Sequence, residues 1–339
     1  MMTRAFIAGC SGTSVTPDEA AFFREAAPWG FILFKRNVES PAQVKALCDA
    51  LRETVGRSDA PILIDQEGGR VQRLGPPHWP KYPAGRTYGQ IHANDPLVRR
   101  EITRLGARLI AHDLRAVGIT VDCLPVLDVP TSGAHDVIGD RAYGRTPEQV
   151  AVLGRAAAEG LLAGSVLPVI KHMPGHGRAG ADSHLALPVV EASRDELEWH
   201  DFVPFRILSD MPLAMTAHVV YTALDPDNPA TTSAIVMSEI IRGHLGYDGL
   251  VMTDDLSMQA LSGSYRERTE RAFAAGCDMA LHCNGKMEEM AAVAEATPLL
   301  EGDALRRADA ALRRIAHEAE PFDPVDARAR LDAALAMVA

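Results

Sequence analysis

The chain lacks several features that would place it in particular protein classes. Its 339 residues carry 45 acidic against 34 basic side chains, which gives a formal charge of −11. This excess of negative charge disfavours binding to nucleic acid or to an anionic membrane surface. No apolar run approaches the roughly 18 residues that a membrane-spanning helix needs. The sequence therefore predicts no nucleic-acid partner and no membrane partner.

Cysteine is scarce and forms no recognisable pattern. The five cysteines lie at scattered positions and include no Cys-x-x-Cys motif. An odd number without regular spacing is typical of reduced thiols in a cytoplasmic protein rather than of a disulfide framework. The residues before Cys10 resemble the end of a bacterial lipoprotein signal, but their apolar part, 5–9, is shorter than a signal-peptide core. We therefore predict a cytoplasmic protein whose first residues form a strand.

Short apolar runs alternate with longer segments of helical periodicity, and this alternation indicates the fold class. The predicted strands lie at 6–9, 31–34, 62–65, 120–126, 168–172, 214–219, 249–254 and 279–283. The predicted helices lie at 17–27, 41–56, 95–117, 147–163, 194–209, 233–245 and 265–276, with one or two more after 286. Continuously apolar strands joined by helices are typical of a parallel sheet covered by helices, either closed into a (β/α)8 barrel or open and doubly wound.

The count of eight strand–helix units favours the closed barrel, an α/β fold of the TIM-barrel type. No Gly/Ser linker, internal repeat or low-complexity tract divides the chain. We therefore predict a single domain over residues 1–339, with the barrel core at about 5–285 and extra helices at the C-terminal end.

Polar side chains are concentrated directly after the predicted strands. In a barrel of this kind, the active site is built from the loops at the carboxyl ends of the strands. The residues at these positions are Asp65 and Glu67 after the third strand, Asp128 and Arg141 after the fourth, Lys171 and His172 after the fifth, His218 after the sixth, and Asp254 and Asp255 after the seventh. This concentration favours an enzyme over a structural or binding protein.

The loop after the fifth strand holds the densest group of polar residues. His172 and His176 have the spacing of a helical zinc pair, but Pro174 and Gly175 prevent the helix that would bring both rings to one face. The chain contains neither a P-loop nor a Gly-x-Gly-x-x-Gly motif. The sequence therefore predicts no metal and no cofactor.

Two groups of residues are candidates for the chemistry. Asp182 and His184 suit a carboxylate that orients an imidazole for proton transfer, although Asp182 could instead cap a turn beside a surface histidine. Asp254 and Asp255 end an apolar strand, so one is a candidate nucleophile or base and the other a helix cap. The periodicity of the strand does not decide between them. The segment 65–73 is acidic and then basic, which suits a polyhydroxylated ligand such as a sugar.

Five motifs in the chain together carry a family resemblance. They are IDQEGGRVQR at 64–73, PVLD at 125–128, IGDRAYG at 138–144, KHMPGHG at 171–177 with DSH at 182–184, and TDDLSM at 253–258. In type, order and spacing they resemble glycoside hydrolase family 3, and within it the single-domain bacterial β-N-acetylglucosaminidases. The resemblance extends from about residue 6 to 285. It departs from the family at Met173, where the family usually has phenylalanine, and this apolar exchange leaves the chemistry intact.

The resemblance implies a (β/α)8 barrel and a two-step mechanism that retains the anomeric configuration. It implies that Asp254 forms a covalent glycosyl-enzyme and that His184, paired with Asp182, acts as general acid and then as general base. The residues that it assigns to substrate binding are Asp65, Arg73, Arg141, Lys171, His172, His218 and Met258. Asp128 and Asp255 are expected to have structural roles or to support the site residues without contacting the substrate.

The function that the resemblance implies is that of a cytoplasmic exo-β-N-acetylglucosaminidase, a β-N-acetylhexosaminidase of cell-wall recycling. Its expected partner is a small carbohydrate, an N-acetylglucosaminyl-1,6-anhydro-N-acetylmuramyl peptide from peptidoglycan, and a monomer is expected. One alternative is a phosphorylase on the same site, because a histidine acid/base does not repel phosphate. The others are a Schiff-base aldolase that uses Lys171 and a sugar-binding barrel without catalysis.

Overall fold

Eight parallel strands close into a barrel in the computed structural model, which describes residues 2–91, 95–183 and 185–338. The strands are β1 (Arg4–Gly9), β2 (Pro28–Leu33), β3 (Ile62–Ile64), β4 (Val121–Asp122), β5 (Leu167–Met173), β6 (Leu213–Thr216), β7 (Leu250–Asp255) and β8 (Met279–His282). Each strand pairs with its neighbours in the chain, and β1 also pairs with β8, where Phe6 lies opposite Ala280. The predicted single-domain (β/α)8 barrel is confirmed, and the open doubly wound alternative is wrong.

The fourth strand is much shorter than the predicted range 120–126. Its ladder stops after Asp122, and pairing with β5 resumes only at an isolated bridge between Val126 and Lys171. Pro125 lies in the interrupted stretch and has no amide hydrogen to donate to a ladder. The apolar run is therefore a buried segment over 121–126 but not a continuous strand.

Helices cover the outside of the barrel. The α-helices are Pro17–Ala26, Pro41–Val55, Gly85–Gln90, Pro96–Ala116, Pro147–Ala163, Arg194–Glu196, Val203–Ile207, Tyr265–Ala275, Met287–Ala296, Gly302–Arg313 and Pro324–Leu335, and two π-helices are Leu197–Asp201 and Val236–His244. The prediction of one or two helices after residue 286 is wrong, because three lie there. Pro298 and Pro321 divide this Ala- and Arg-rich region, since proline interrupts the hydrogen bonding of a helix.

Side chains of the strands alternate between the barrel interior and the layer under the helices. On β1, Phe6 and Ala8 pack with the helices, whereas Ile7 packs inside the barrel with residues such as Leu63 and Leu213. Successive residues of a strand point to opposite faces, so both faces of each barrel strand must be apolar. The interior is therefore filled by side chains, and the loops at the carboxyl ends of the strands are left to form a site.

Three helices begin with a matching pair of signals, a hydroxyl side chain followed by proline. Thr16, Ser40 and Thr146 each accept a hydrogen bond from a backbone amide in the first turn of the helix that follows. A cap of this kind satisfies an amide that has no partner within the helix. Within the described ranges, no helix is both long enough and apolar enough to cross a membrane.

Candidate active site

A cavity of about 300 Å³ opens at the carboxyl ends of the barrel strands. This volume is at the lower end of the range for small-molecule sites, so it suits a single sugar ring. The predicted site residues that line it are Asp65, Arg73, Arg141, Lys171, His172, Asp254 and Met258. The carboxyl ends of four strands, β3, β4, β5 and β7, and the loops that follow them thus bring distant parts of the sequence to one cavity.

Lys171 lies at the centre of a charged network in the cavity wall. Its side chain is 2% exposed, and its Nζ donates to Asp65 Oδ1 at 3.0 Å and lies 2.7 Å from Glu67 Oε1. Arg73 donates to the other oxygen of Asp65 at 3.0 Å. Burial disfavours the charge on Asp65, but Lys171 and Arg73 outweigh burial and lower the pKa of this carboxyl.

The same network determines the protonation state of Lys171. Burial acts to lower its pKa, but the carboxylates of Glu67 and Asp65 outweigh burial and raise the pKa of Lys171. A lysine that forms a Schiff base must first lose its proton to become a nucleophile. The ion pairs therefore oppose the aldolase alternative and favour a lysine that donates hydrogen bonds to a ligand.

Glu67 is a residue of the site that the sequence did not assign to sugar binding. Both of its oxygens accept hydrogen bonds from Arg141, at 2.8 Å each, and burial of this carboxyl is outweighed by Arg141 and Lys171, which lower its pKa to about 2. A short antiparallel pair, Gln66–Gly68 with Val71–Gln72, turns the chain back beside the cavity. The signal available in the sequence was an acidic residue two positions after Asp65.

This turn depends on Gly68 and Gln66. Gly68 has φ +89°, and a Cβ at this position would lie 2.3 Å from the carbonyl oxygen of Pro83. Glycine is therefore required both by the backbone conformation and by the lack of space. Gln66 Oε1 accepts hydrogen bonds from the amides of Arg73 and Leu74 at 3.0 Å each, which fixes Arg73 against the cavity.

Asp128 holds two histidines of the loop that follows β5. Its Oδ2 is 2.7 Å from His172 Nδ1, and its Oδ1 accepts from the amides of His172 at 3.1 Å and His176 at 2.7 Å. Burial of Asp128 is outweighed by the charge and hydrogen bond of His172, and the pKa of the carboxyl falls to about 2. Because Nδ1 of His172 donates to the carboxylate, Nε2 is the nitrogen left for a ligand.

The two carboxylates at the end of β7 have different surroundings. The carboxylate of Asp255 accepts hydrogen bonds from the amides of Ser257 at 3.0 Å and Cys283 at 3.1 Å, and from the hydroxyl of Ser257. The Oδ1 of Asp254 accepts from the amide of Asp255 at 2.8 Å. The helix that follows begins at Tyr265, so neither aspartate caps it. Asp255 holds a turn instead, which leaves Asp254 as the candidate nucleophile.

His218, which the resemblance assigns to substrate binding, is not among the described residues that line the cavity. It is fully buried, its Nε2 lies 3.0 Å from the carbonyl oxygen of Asp255, and its Nδ1 lies 2.7 Å from Thr231 Oγ1. Both ring nitrogens are therefore engaged within the protein. Its position supports the backbone beside Asp254 from behind the cavity wall.

The predicted acid/base pair is only partly covered by the structure. His184 lies outside the described residues. The carbonyl oxygen of Asp182 accepts from the amide of Leu185 at 2.9 Å, and Ser183 lines the cavity. Within the part of the chain that the structure describes, no group of three or more His, Cys, Asp or Glu side chains is placed to hold a metal ion. The roles of Asp182 and His184 and the absence of a metal and a cofactor remain predictions.

Comparison with known proteins identifies the family. The model of the glycosyl hydrolase family 3 N terminal domain matches residues 19–317. The chain belongs to glycoside hydrolase family 3. A curated relative from Alkalilimnicola ehrlichii, named Beta-hexosaminidase, is 40% identical over 288 residues, which cover 84% of this chain and 82% of the relative. The predicted enzyme class, a glycoside hydrolase that resembles the β-N-acetylhexosaminidases, is confirmed.

Two solved structures of family 3 are similar to this chain. One is NagZ from Neisseria gonorrhoeae in complex with N-trifluoroacetyl-D-glucosamine, with a TM-score of 0.85, 32% identity, and coverage of 100% of this chain and 98% of that one. The other is a β-N-acetylglucosaminidase from Paenibacillus sp. str. FPU-7, also with a TM-score of 0.85 and 32% identity. The match to the Paenibacillus enzyme covers 97% of this chain and 66% of the Paenibacillus chain.

Proposed function

We propose that the protein is a retaining exo-β-N-acetylglucosaminidase that removes terminal N-acetylglucosamine from peptidoglycan fragments. The observation that carries the proposal is the small cavity in which Asp254 shares one wall with the network of Asp65, Lys171 and Arg141. The Neisseria NagZ structure, which holds a glucosamine derivative, supports this choice of sugar. A cavity closed below by the packed barrel interior suits removal of a terminal sugar rather than cleavage within a chain.

The charged network supplies the hydrogen bonds that a sugar ring requires. Asp65 and Glu67 are ionised at neutral pH and accept from hydroxyl groups, whereas Lys171, Arg73 and Arg141 donate to hydroxyl or acyl oxygens. These groups hold one another in place before the ligand arrives. Binding therefore requires little rearrangement, and the energy of the contacts is available for orienting the anomeric carbon.

The reaction proceeds in two displacements at the anomeric carbon. In the first, a carboxylate oxygen of Asp254 forms a bond to this carbon while the bond to the leaving oxygen breaks, and His184 gives that oxygen a proton. In the second, His184 takes a proton from water as the water oxygen attacks and the bond to Asp254 breaks. Two inversions retain the configuration. Asp182 orients His184 and stabilises the charged imidazole.

The biological setting is part of the same proposal. The sequence resemblance supports action on N-acetylglucosaminyl-1,6-anhydro-N-acetylmuramyl peptides, the cysteine pattern supports a cytoplasmic location, and a monomer is the expected oligomeric state. Cell fractionation and gel filtration test the location and the oligomeric state. Release of N-acetylglucosamine from a purified muropeptide, compared with release from a chitin disaccharide, tests the substrate.

The central experiment replaces the nucleophile. Wild type is expected to release 4-nitrophenol from its β-N-acetylglucosaminide, and Asp254→Asn is expected to lower kcat by about 10³-fold or more. Asp332→Asn, an exposed position on the C-terminal helix, is the matched control and should retain full activity. An Asp254→Asn enzyme with undiminished kcat would remove this residue from the mechanism.

A trapping experiment identifies the covalent intermediate directly. A fluorinated N-acetylglucosaminyl fluoride should label one peptide, and mapping should place the label on Asp254. Product analysis in phosphate buffer separates hydrolysis from phosphorolysis, because a sugar 1-phosphate appears only in the second. Its appearance as the main product would replace the hydrolase proposal by the phosphorylase alternative.

A further inference from the structure

A phenylalanine in the cavity wall has no part in the two displacements described above. Phe34 directly follows β2, is half-buried, and lines the cavity together with Arg73 and Asp254. It also packs against the apolar side chains that fill the barrel interior. Its side chain neither ionises nor forms ordinary hydrogen bonds, so any role in the reaction has to act through packing against other groups.

Two guanidinium groups lie over the ring of Phe34. The Cζ atom of Arg73 is 5.3 Å from the centre of the ring, and the Cζ atom of Arg36 is 5.0 Å from it. A guanidinium within about 6 Å of the centre of an aromatic ring is attracted by the negative charge density on the ring face. The ring therefore contacts one of the residues that the sequence assigns to substrate binding.

Arg73 is held less completely than Arg141, the other arginine of the cavity. Arg141 makes two hydrogen bonds of 2.8 Å to Glu67, and a paired contact of this kind fixes the plane of a guanidinium. Among the described residues, the Arg73 side chain donates one hydrogen bond, to Asp65 at 3.0 Å, and its Nε is buried without a partner. One hydrogen bond leaves the guanidinium plane free to turn. The aromatic ring is a second contact that restricts this turning.

The ring is in turn fixed where the first and last strands of the barrel meet. Arg36 donates hydrogen bonds to the carbonyl oxygens of Cys10, which follows β1, and of Cys283, which follows β8. Asn37 accepts a hydrogen bond of 2.8 Å from the amide of Phe34 and donates one of 3.1 Å to the carbonyl oxygen of Cys10. The backbone of Phe34 and one cation on its ring are thus attached to the ends of two further strands.

We propose that Phe34 is a positioning residue that orients the guanidinium of Arg73 towards the sugar. The proposal rests on the proposed function, in which Arg73 donates to an oxygen of the substrate. In this scheme, the ring acts only through Arg73, and Arg36 holds the ring in place. Loss of the ring should weaken binding of the sugar and leave the displacements at the anomeric carbon unchanged.

The first test replaces the aromatic ring by an apolar side chain. In Phe34→Leu, kcat/KM for 4-nitrophenyl β-N-acetylglucosaminide should fall about fivefold, mainly through a higher KM, as expected for loss of a cation–π contact at a partly exposed site. Phe34→Tyr keeps the ring and should retain the wild-type KM. Phe22→Leu, at a partly buried position on the first helix, is the matched control and should not change KM. An unchanged KM in Phe34→Leu would overturn the proposal.

The second test asks whether Phe34 acts through Arg73. Arg73→Gln removes the cation from the ring and keeps part of the side chain. In this background, Phe34→Leu should cause no further loss of kcat/KM, because the group that the ring orients is already absent. A double variant that loses the full additional factor would show that the ring acts independently of Arg73, and the proposal would be wrong.

The third test gives a readout that a general loss of packing would not produce. Three substrates that each lack the 3-, 4- or 6-hydroxyl group, and the glucoside that lacks the N-acetyl group, remove the possible acceptors of Arg73 one at a time. Arg73→Gln should lose least activity on the substrate without the oxygen that Arg73 contacts, and Phe34→Leu should lose least on the same substrate. Equal losses of Phe34→Leu on all four substrates would overturn the positioning role. A wild type that releases no 4-nitrophenol from the full substrate would instead overturn the proposed function.

Discussion

Replacing Glu67 by glutamine removes the negative charge that two buried cations share. The Glu67 carboxylate lies 2.7 Å from Lys171 Nζ and accepts two hydrogen bonds of 2.8 Å from Arg141. Glutamine keeps the shape of the side chain and one acceptor oxygen. The effect of Glu67→Gln on the free energy of unfolding therefore reports mainly the loss of charge.

The magnitude follows from the pKa of the group. Burial of Glu67 is outweighed by Arg141 and Lys171, which lower its pKa from 4.5 to about 2. At 1.36 kcal/mol per unit, this shift corresponds to about 3 kcal/mol of stability at neutral pH. Breaking a buried ion pair costs a similar amount, about 3–5 kcal/mol. We therefore expect Glu67→Gln to lower the free energy of unfolding by about 3 kcal/mol at pH 7.

The same linkage fixes the direction of the pH dependence. Because the pKa of Glu67 is lower in the folded protein, its stabilising effect is complete well above pH 4.5 and is lost as the pH falls towards 2. The difference between wild type and variant should shrink to about 2 kcal/mol at pH 3.5. Urea unfolding curves at the two pH values measure this difference, with Glu53→Gln, at an exposed position, as the control. A difference below about 1 kcal/mol at pH 7, or one that does not change with pH, would refute this reasoning.

Three further predictions concern other buried groups. Burial raises the pKa of Asp122 to about 8, so between about pH 4 and 8 this acid is neutral in the folded protein and charged in the unfolded chain. Its contribution to wild-type stability should therefore fall as the pH rises from about 4 to 8. At pH 9, Asp122→Asn should have a higher Tm than wild type, and a lower Tm would contradict this assignment. Asp128→Asn removes the charged acceptor that orients His172 through Nδ1. Titration calorimetry should therefore show about tenfold weaker binding of N-acetylglucosamine to this variant than to wild type. Unchanged binding would contradict the orienting role of Asp128. Cys10, Cys48, Cys123 and Cys277 are free, buried and not among the residues that line the cavity, and burial raises the pKa of each of these thiols. A thiol reagent should therefore react with these four only after denaturant is added, and rapid reaction without denaturant would contradict this prediction.

The architecture was predictable because the barrel requires apolar side chains on both faces of every strand. That requirement left eight apolar runs visible in the sequence, and each overlaps one strand of the barrel. Strand ends were less predictable because local sterics decide them, as Pro125 does in β4. One or two helices were predicted after residue 286, where three are present, because helical periodicity alone does not show where a proline divides a periodic segment.

The predicted site residues show which positions a linear pattern can identify. Asp65 directly follows a strand, and Lys171 and Asp254 lie within two residues of a strand end, so the barrel geometry places all three at the cavity. Glu67 reaches the cavity only because the chain folds back after Asp65, and no periodicity records that turn. His218 also follows a strand, but its ring lies behind the cavity wall. There it contacts Thr231 and the carbonyl oxygen of Asp255, two partners that are distant in sequence and that no local pattern reveals.

The pairing of β1 with β8 has a consequence for how the protein is made. Loop-closure entropy opposes contacts between residues that are distant in sequence. Here the first strand of the barrel cannot complete its pairing until the last strand is present. While the chain emerges from the ribosome, β1 keeps an open edge until β8 has been synthesised, and open edges pair readily with other chains. Asp254 lies on β7, so the residue proposed to perform the chemistry joins the fold late. Synthesis that stops between β7 and β8 would leave a nearly complete barrel whose two unpaired edges favour aggregation.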